Sequence, residues 1–319
     1  MSRIAVVGAG AWGTALSLQA VRAGHHVTLV TRNAASASAI RAAGESPRLP
    51  GVRLPDQIDV RGDIPDADLL LWVVPTQHLR TSLVRLTPTD ADVVVCAKGV
   101  EVGTLLLPLE VVDSVFPALP TGILTGPNFA GEVAKGLPTA AVVASSNAGL
   151  RERVQDMLGT PTFRLYGNDD PIGAQLGGAA KNVIAIAAGA VMGAGLGENA
   201  RAALVTRGLS ELRRLAVALG GRAETVMGLS GLGDLLLTCT GPSSRNFSLG
   251  FALGRGERLD DILAKRSAVT EGVPTAAALV ARAGDVELPI CRAVADLVAG
   301  VQTLDQAIER LLSRPQRDE

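Results

Sequence analysis

The hexapeptide GAGAWG at residues 8–13 lies directly between RIAVV and WGTALSLQAVRAG. A short Val/Ile run, a glycine turn and a segment of helical periodicity stopping at Gly24 constrain the amino-terminal fold more than any other feature. The spacing fits G-x-G-x-x-G in its strand–turn–helix context. There Gly8 permits a tight turn, Gly10 allows a pyrophosphate to approach the backbone, and Gly13 allows helix and strand to pack closely. The helix N-terminus then offers amide donors to phosphate oxygens. The motif predicts a dinucleotide site.

Further β runs follow at HHVTLVTR and at 67–74, 91–98, 122–126, 139–145 and 162–167. They are short, Val/Leu-rich and uninterrupted, as buried parallel strands are. Interleaved with helices, they predict a doubly wound (Rossmann) α/β domain with right-handed crossovers. Beyond Asp170 only helical blocks are legible, at 172–192, 200–219, 244–254, 258–265, 273–283, 289–299 and 303–313. In the second block Leu204, Val205, Leu209, Leu212, Leu215, Ala216 and Leu219 share one face, and Gly220 is the stop signal. The expected organisation is a dinucleotide-binding domain over 1–172 and an all-α substrate domain over 173–319. The tail SRPQRDE reads as disordered.

Composition removes several alternatives. A formal net charge of −1 gives no electrostatic footprint for nucleic acid or an anionic membrane. Cys96, Cys239 and Cys291 form no CxxC, which argues against a disulfide framework or zinc knuckle, and His25, His26 and His78 are too few for a metal cluster. A reduced, cytoplasmic setting without metal is expected, and MSRIAVVGAG leaves no room for a secretory signal before the first strand. The best membrane candidate, NVIAIAAGAVMGAGL, is fifteen residues long, short of the ~20 needed to span a bilayer. It reads as a buried core helix, without membrane insertion.

Cofactor choice is written at the end of the second strand. NAD-specific sites usually carry an acid there for the ribose 2′-hydroxyl; this chain has Thr31, Arg32 and Asn33. A guanidinium at Arg32 suits a 2′-phosphate, so NADPH is favoured, with NADH possible. The plainer reading of Arg32 is a solvated surface arginine.

The chain holds four lysines against twenty-six arginines. Where a bare positive charge suffices, such a chain uses Arg; a lysine matters where a proton must move. Lys98 and Lys181 stand out. Lys181 lies in GGAAKNVIAIAAG among Ala, Gly, Val and Ile, where a desolvated ammonium can exchange a proton with a substrate oxygen. Snorkelling from a helix edge is the alternative. LSGLGDLLLTCTGPSSRN (229–246), read as a loop-rich stretch, offers Asp234, Thr238, Ser244, Arg245 and Asn246; Asp234 needs a cationic partner, and Lys181 is the candidate. Ser244, Arg245 and Asn246 read either as an oxyanion clamp or as an ordinary helix start. GPNFAGEV (126–133) and Lys98 fall at strand ends on the edge where open α/β sheets place ligands; a solvated strand-end lysine is equally compatible with Lys98.

Taken together, GAGAWGTAL, RLPGVRLP, AKG, GPNFAGEV, AAKNVIAIAAG with ENARAALVTRGLSEL, GLGDLLLTCT…SSRN and TEGVPTA resemble the bacterial NAD(P)-dependent glycerol-3-phosphate dehydrogenases, in order from residue 3 to about 300. The resemblance implies reversible reduction of dihydroxyacetone phosphate to sn-glycerol 3-phosphate for phospholipid synthesis by a homodimer. It implies that Lys181 is the proton-exchanging residue. It places substrate against Lys98, Gly126, Asn128, Asp234, Ser244, Arg245 and Asn246. Cofactor would meet Ala11, Trp12, Arg32, Lys98, Ala130, Arg245, Val269 and Glu271. Two departures stand out. Met192-Gly193-Ala194 replaces a common Asp-Gly-Leu, which is expected to alter the hydrogen bonds around Lys181 or the local packing. Asn128 replaces a frequent Ser or Thr, and still offers a donor and an acceptor. The rival readings are a related reductase of another small keto acid, such as ketopantoate, and an idle NAD(P)-binding regulator. The SSRN cluster favours a phosphorylated substrate over the first; Lys181, Asp234 and Arg245–Asn246 kept together argue against the second.

Overall fold

Eight strands form one sheet: β1 (Arg3–Val7), β2 (His26–Val30), β3 (Ile58–Arg61), β4 (Leu69–Trp72), β5 (Asp92–Val95), β6 (Thr121–Thr125), β7 (Thr139–Ala144) and β8 (Phe163–Asn168), in the order β3-β2-β1-β4-β5-β6-β7-β8. The structure, a computed structural model, describes residues 1–87, 90–117, 119–266 and 269–313; the tail beyond 313 lies outside the described residues. From β3 to β6 all pairs are parallel, with Val6 beside Leu29 on one side and Leu71 on the other. The central strands β4 and β5 are buried along their whole length, which is why they read as unbroken apolar runs.

Two features depart from the expected parallel sheet. β3, IDVR, was not anticipated: its burial alternates and it lies at the sheet edge, so it carries no apolar run. β7 runs antiparallel to β6, and β8 pairs parallel with β7. β8 is an edge strand with largely exposed side chains, Tyr166 among them, rather than a buried one.

The helices α1 (Ala11–Arg22), α2 (Ala34–Ala43), α3 (Leu79–Leu83), α4 (Pro108–Val115), α5 (Ala130–Ala134) and α6 (Ala148–Leu158) connect the strands. Leu16 and Ala20 of α1 pack with Val6, Leu29 and Leu71 in the core. After β8 come α7 (Pro171–Gly193), α8 (Gly197–Ala218), α9 (Ala223–Val226), α10 (Asp234–Cys239), α11 (Arg245–Gly254), α12 (Leu259–Ala264), α13 (Gly272–Ala283), α14 (Pro289–Val298) and α15 (Leu304–Leu312). The chain divides into two compact units: Met1–Lys98 with Leu107–Gln175, and Leu176–Glu319 with Gly99–Leu106. Segment Gly99–Leu106 groups with the helical unit although strands of the sheet flank it in sequence; nothing in its composition signals this.

Helix α7 is 23 residues long and has the length and composition to cross a membrane, so the fifteen-residue reading underestimated it. Length therefore does not argue against a membrane span; packing does, because 83% of its most apolar window is buried within the protein. Gly189 and Gly193 of α7 face Gly250 and Gly254 of α11 so closely that a Cβ on any of the four would stand 1.9–2.3 Å from a carbonyl oxygen of the other helix. The two backbones interlock through these small residues, fixing where the start of α11 lies along α7.

Candidate active site

In the first unit the glycine turn has the shape a dinucleotide requires. Gly8 has φ +121°, and a Cβ there would lie 2.4 Å from the Val73 carbonyl oxygen; a Cβ on Gly13 would lie 1.9 Å from that of Gly8. Neither position tolerates a side chain. Gly10 is different: nothing lies within 4 Å of a Cβ built on it, leaving open space at the N-terminus of α1. Trp12 Nε1 is buried and has no hydrogen-bond partner among the described residues. A phosphate-rich cofactor fits this cradle on both counts, space and unused donor.

Arg32 is exposed and makes no side-chain hydrogen bond or ion pair among the described residues. Next to it, Asn33 caps α2 by accepting from Ser36 N, and the Thr31 hydroxyl donates to the Asn33 carbonyl at 2.7 Å. The turn is thus braced on either side of the exposed Arg32. At the far ends of β5 and β6, Lys98 Nζ donates to the Gly126 carbonyl at 3.1 Å, and Asn128 Nδ2 to that of Ala140 at 2.9 Å. Gly126 has φ +129°, and a Cβ on it would meet Ala141 Cα at 3.1 Å. Asn128 Oδ1 is buried without a hydrogen-bond partner among the described residues. Ala130 opens α5 on the same loop.

In the helical unit Lys181 and Asp234 meet. Lys181 Nζ lies 2.5 Å from Asp234 Oδ1 and 2.9 Å from Thr238 Oγ1. The lysine side chain is 11% exposed and that of Asp234 1%, so the charge pair is nearly dry. Thr238 in turn donates to the Asp234 carbonyl at 2.6 Å. This corrects the loop-rich reading of 229–246. A π-helical turn over Leu229–Gly233 feeds α10, and Asp234 and Thr238 are one helical turn apart on the same face. Thr238 belongs to the cluster the sequence offers, but its i,i+4 relation to Asp234 carries no meaning while the stretch reads as a loop.

The three residues of the proposed clamp open α11, and each has a protein partner. Ser244 is the N-cap and accepts from Phe247 N at 3.2 Å, as its plainer reading had it. Arg245 Nη1 donates to the Val269 carbonyl at 2.8 Å, and its side chain is exposed. Asn246 Nδ2 donates to Asn182 Oδ1 at 2.8 Å, and its Oδ1 accepts from Gly272 N at 3.0 Å. Asn182, the neighbour of Lys181, thereby ties the start of α11 to α7. Gly272 is packed into this junction: a Cβ there would lie 2.7 Å from both the Asn182 carbonyl oxygen and Asn246 Oδ1. Glu271 is the N-cap of α13 beside it.

Met192 does not reach this network. It lies eleven residues beyond Lys181 on α7, about 16 Å along the axis at ~1.5 Å per residue, too far for an acid there to bond the ammonium. The hydrogen bonds around Lys181 are therefore not altered by the residue at 192. Packing is what the position concerns, since neighbouring Gly193 abuts α11.

Residues 3–150 match the family described as NAD-dependent glycerol-3-phosphate dehydrogenase N-terminus, and residues 170–309 match its C-terminus. A glycerol-3-phosphate dehydrogenase [NAD(P)+] of Rhodospirillum rubrum is 50% identical over 329 aligned residues, covering 100% of this chain and 94% of the relative. One from Acidiphilium cryptum is 53% identical over 317, covering 99% and 98%. The crystal structure of glycerol-3-phosphate dehydrogenase from Coxiella burnetii superposes with a TM-score of 0.94 at 36% identity, covering 98% of this chain and 99% of that one.

Proposed function

The chain belongs to the NAD-dependent glycerol-3-phosphate dehydrogenase family, an oxidoreductase that interconverts dihydroxyacetone phosphate and sn-glycerol 3-phosphate, and from that premise we propose how its residues divide the work. The first unit holds the dinucleotide: Gly8, Gly10 and Gly13 shape the turn, Ala11 and Trp12 open α1 beneath the pyrophosphate, and Ala130 lies on the loop after β6. Arg32 holds the adenosine 2′-phosphate, making NADPH the preferred cofactor. When bound, the nicotinamide supplies the hydride. The helical unit binds substrate and handles the proton.

The observation that carries this reading is the buried Lys181–Asp234–Thr238 group. As hydride reaches the carbonyl carbon of dihydroxyacetone phosphate, negative charge gathers on its oxygen. Lys181 Nζ gives a proton to that oxygen and becomes a neutral amine, then regains a proton from solvent; in the reverse direction it accepts one. Asp234 and Thr238 hold Nζ in a single position, so no reorganisation is needed during the step. Ser244, Arg245 and Asn246 place the amide donors of the α11 start and a guanidinium at the phosphate, whose binding orients the reacting end. Lys98, Gly126 and Asn128 are further substrate contacts, and Lys98 also meets the cofactor. Arg245, Val269 and Glu271 are further cofactor contacts, which the Arg245–Val269 hydrogen bond supports.

Three buried, unpaired thiols suit a reducing compartment, the cytoplasm. Leu236 and Phe251, exposed on α10 and α11, suit a homodimer; light scattering tests that. The activity is tested by following NADPH oxidation with dihydroxyacetone phosphate, ketopantoate or no substrate. Turnover with dihydroxyacetone phosphate alone is expected; turnover with ketopantoate alone would overturn the reading.

A further inference from the structure

The turn that carries Arg32 has a second arginine built into it. Arg85 follows α3, far from Arg32 in sequence, and is half-buried. Its Nη2 donates to the Thr31 carbonyl at 3.3 Å, the peptide that leads into Arg32, and also to the Gly62 carbonyl just beyond β3. Gly62 is itself pressed against the turn: a Cβ there would lie 2.7 Å from Ala34 N. Thr31 N donates to the Arg61 carbonyl at 2.8 Å. One guanidinium therefore straddles the ends of β2 and β3, immediately beside the backbone of Arg32. Among the described residues Nη2 makes the side-chain hydrogen bonds of Arg85, and no carboxylate pairs with it. The acid nearest in sequence to Gly62, Asp63, pairs with Arg61 at 3.6 Å. A structural clip between two carbonyls needs a donor and not a charge. A permanent cation at this place adds positive potential where the second strand of a dinucleotide fold meets the adenosine ribose.

We propose that Arg85 is a second specificity-determining residue of the cofactor site, acting with Arg32 to select the adenosine 2′-phosphate. The inference rests on the reading that Arg32 faces that phosphate. Arg32 supplies the exposed guanidinium. Arg85 supplies a fixed one, pre-ordered by Thr31 and Gly62, so little side-chain freedom is lost when the phosphate binds.

Calorimetric titration of the full chain with adenosine 2′,5′-bisphosphate and with 5′-AMP tests this without turnover. The variants are R32A, R85A and R85Q. Gln keeps an amide donor for the two carbonyls but has no charge, and thermal melts check that each variant folds. For both Arg85 variants, affinity for the bisphosphate is expected to fall about tenfold, the scale of one charge-assisted contact to phosphate, with AMP affinity changing less than about twofold. An R85Q protein with the wild-type ratio, or equal loss for both ligands, would make Arg85 a structural clip only and overturn the proposal. A wild-type chain with no preference for the bisphosphate would instead refute the Arg32 reading. Loss of preference in R32A but not in R85Q would leave that reading intact and remove this one.

Discussion

Gly250 packs so closely against Ile186 that a Cβ on the glycine would lie 1.9 Å from the Ile186 carbonyl oxygen. The contact is one of four that lock α11 onto α7, and α11 begins with Ser244, Arg245 and Asn246. Adding one methyl group at Gly250 must push the helices apart and move that start relative to Lys181. G250A is expected to lose about 1–3 kcal/mol, as overpacked positions do, and to raise KM for dihydroxyacetone phosphate by a larger factor than it lowers kcat. Urea unfolding and steady-state kinetics check both. An unchanged KM would show that the interlock does not set the clamp.

The Lys181–Asp234 pair should behave as a buried ion pair. Removing Asp234 alone strands an ammonium among apolar side chains, at a cost of about 3–5 kcal/mol. Removing the lysine as well takes away the stranded charge. D234A is therefore expected to be the less stable of the two, and K181M/D234A to recover a large part of the loss. Additive single-variant effects in denaturation would contradict the pairing.

Cysteine chemistry offers an independent check on burial. Burial pushes the Cys239 thiol, which neighbours Lys181 and Asp234, up to about 12, and does the same to Cys96. Cys291 is raised well above its ordinary range, first by burial and then by Glu211. With no thiolate available at neutral pH, iodoacetamide should leave the folded protein unlabelled and fully active. Three labels should appear in denaturant. Rapid labelling of native protein would show that these sites open.

Glu211 carries a pH signature. It is 2% exposed on α8 and accepts from Ile290 N at 2.7 Å and Cys291 N at 3.2 Å, capping the first turn of α14. Desolvation raises its carboxyl pKa above the ordinary value despite these bonds. The folded state therefore holds this proton more tightly than the unfolded chain, so the contribution to stability is present at low pH and declines as pH rises through the raised value. Relative to E211Q, which does not titrate, the wild type should lose melting temperature as pH rises above the ordinary carboxylate range. A difference that is flat in pH, or grows in favour of the wild type as pH rises, would contradict this.

Much of the architecture is legible because buried parallel strands and amphipathic helices leave strong local patterns. β4 and β5 announce themselves as LLLW and DVVV inside longer apolar runs, and GAGAWG fixes the turn between β1 and α1. What escapes is structure whose signal is not local. β3 alternates as an edge strand and shows no apolar run, and the reversal of β7 depends on the path of the chain after β6. In the site, Lys181 was conspicuous as a charge in an apolar helix. What Thr238 and Asn182 bond to was not legible, since a threonine four residues after an aspartate matters only once α10 is known to be a helix. The link from Asn182 to the start of α11 runs to Asn246, 64 residues away.

The central claim is that Lys181 moves the proton in reduction of dihydroxyacetone phosphate. The most direct measurement compares wild type and K181A for NADPH oxidation with that substrate, alongside NADPH binding followed by nicotinamide fluorescence. Loss of a general acid that serves the reacting oxygen is expected to lower kcat by about 10²–10⁴-fold, with the cofactor dissociation constant changed less than about threefold. A K181A protein that turns over near the wild-type rate would contradict the account at its centre.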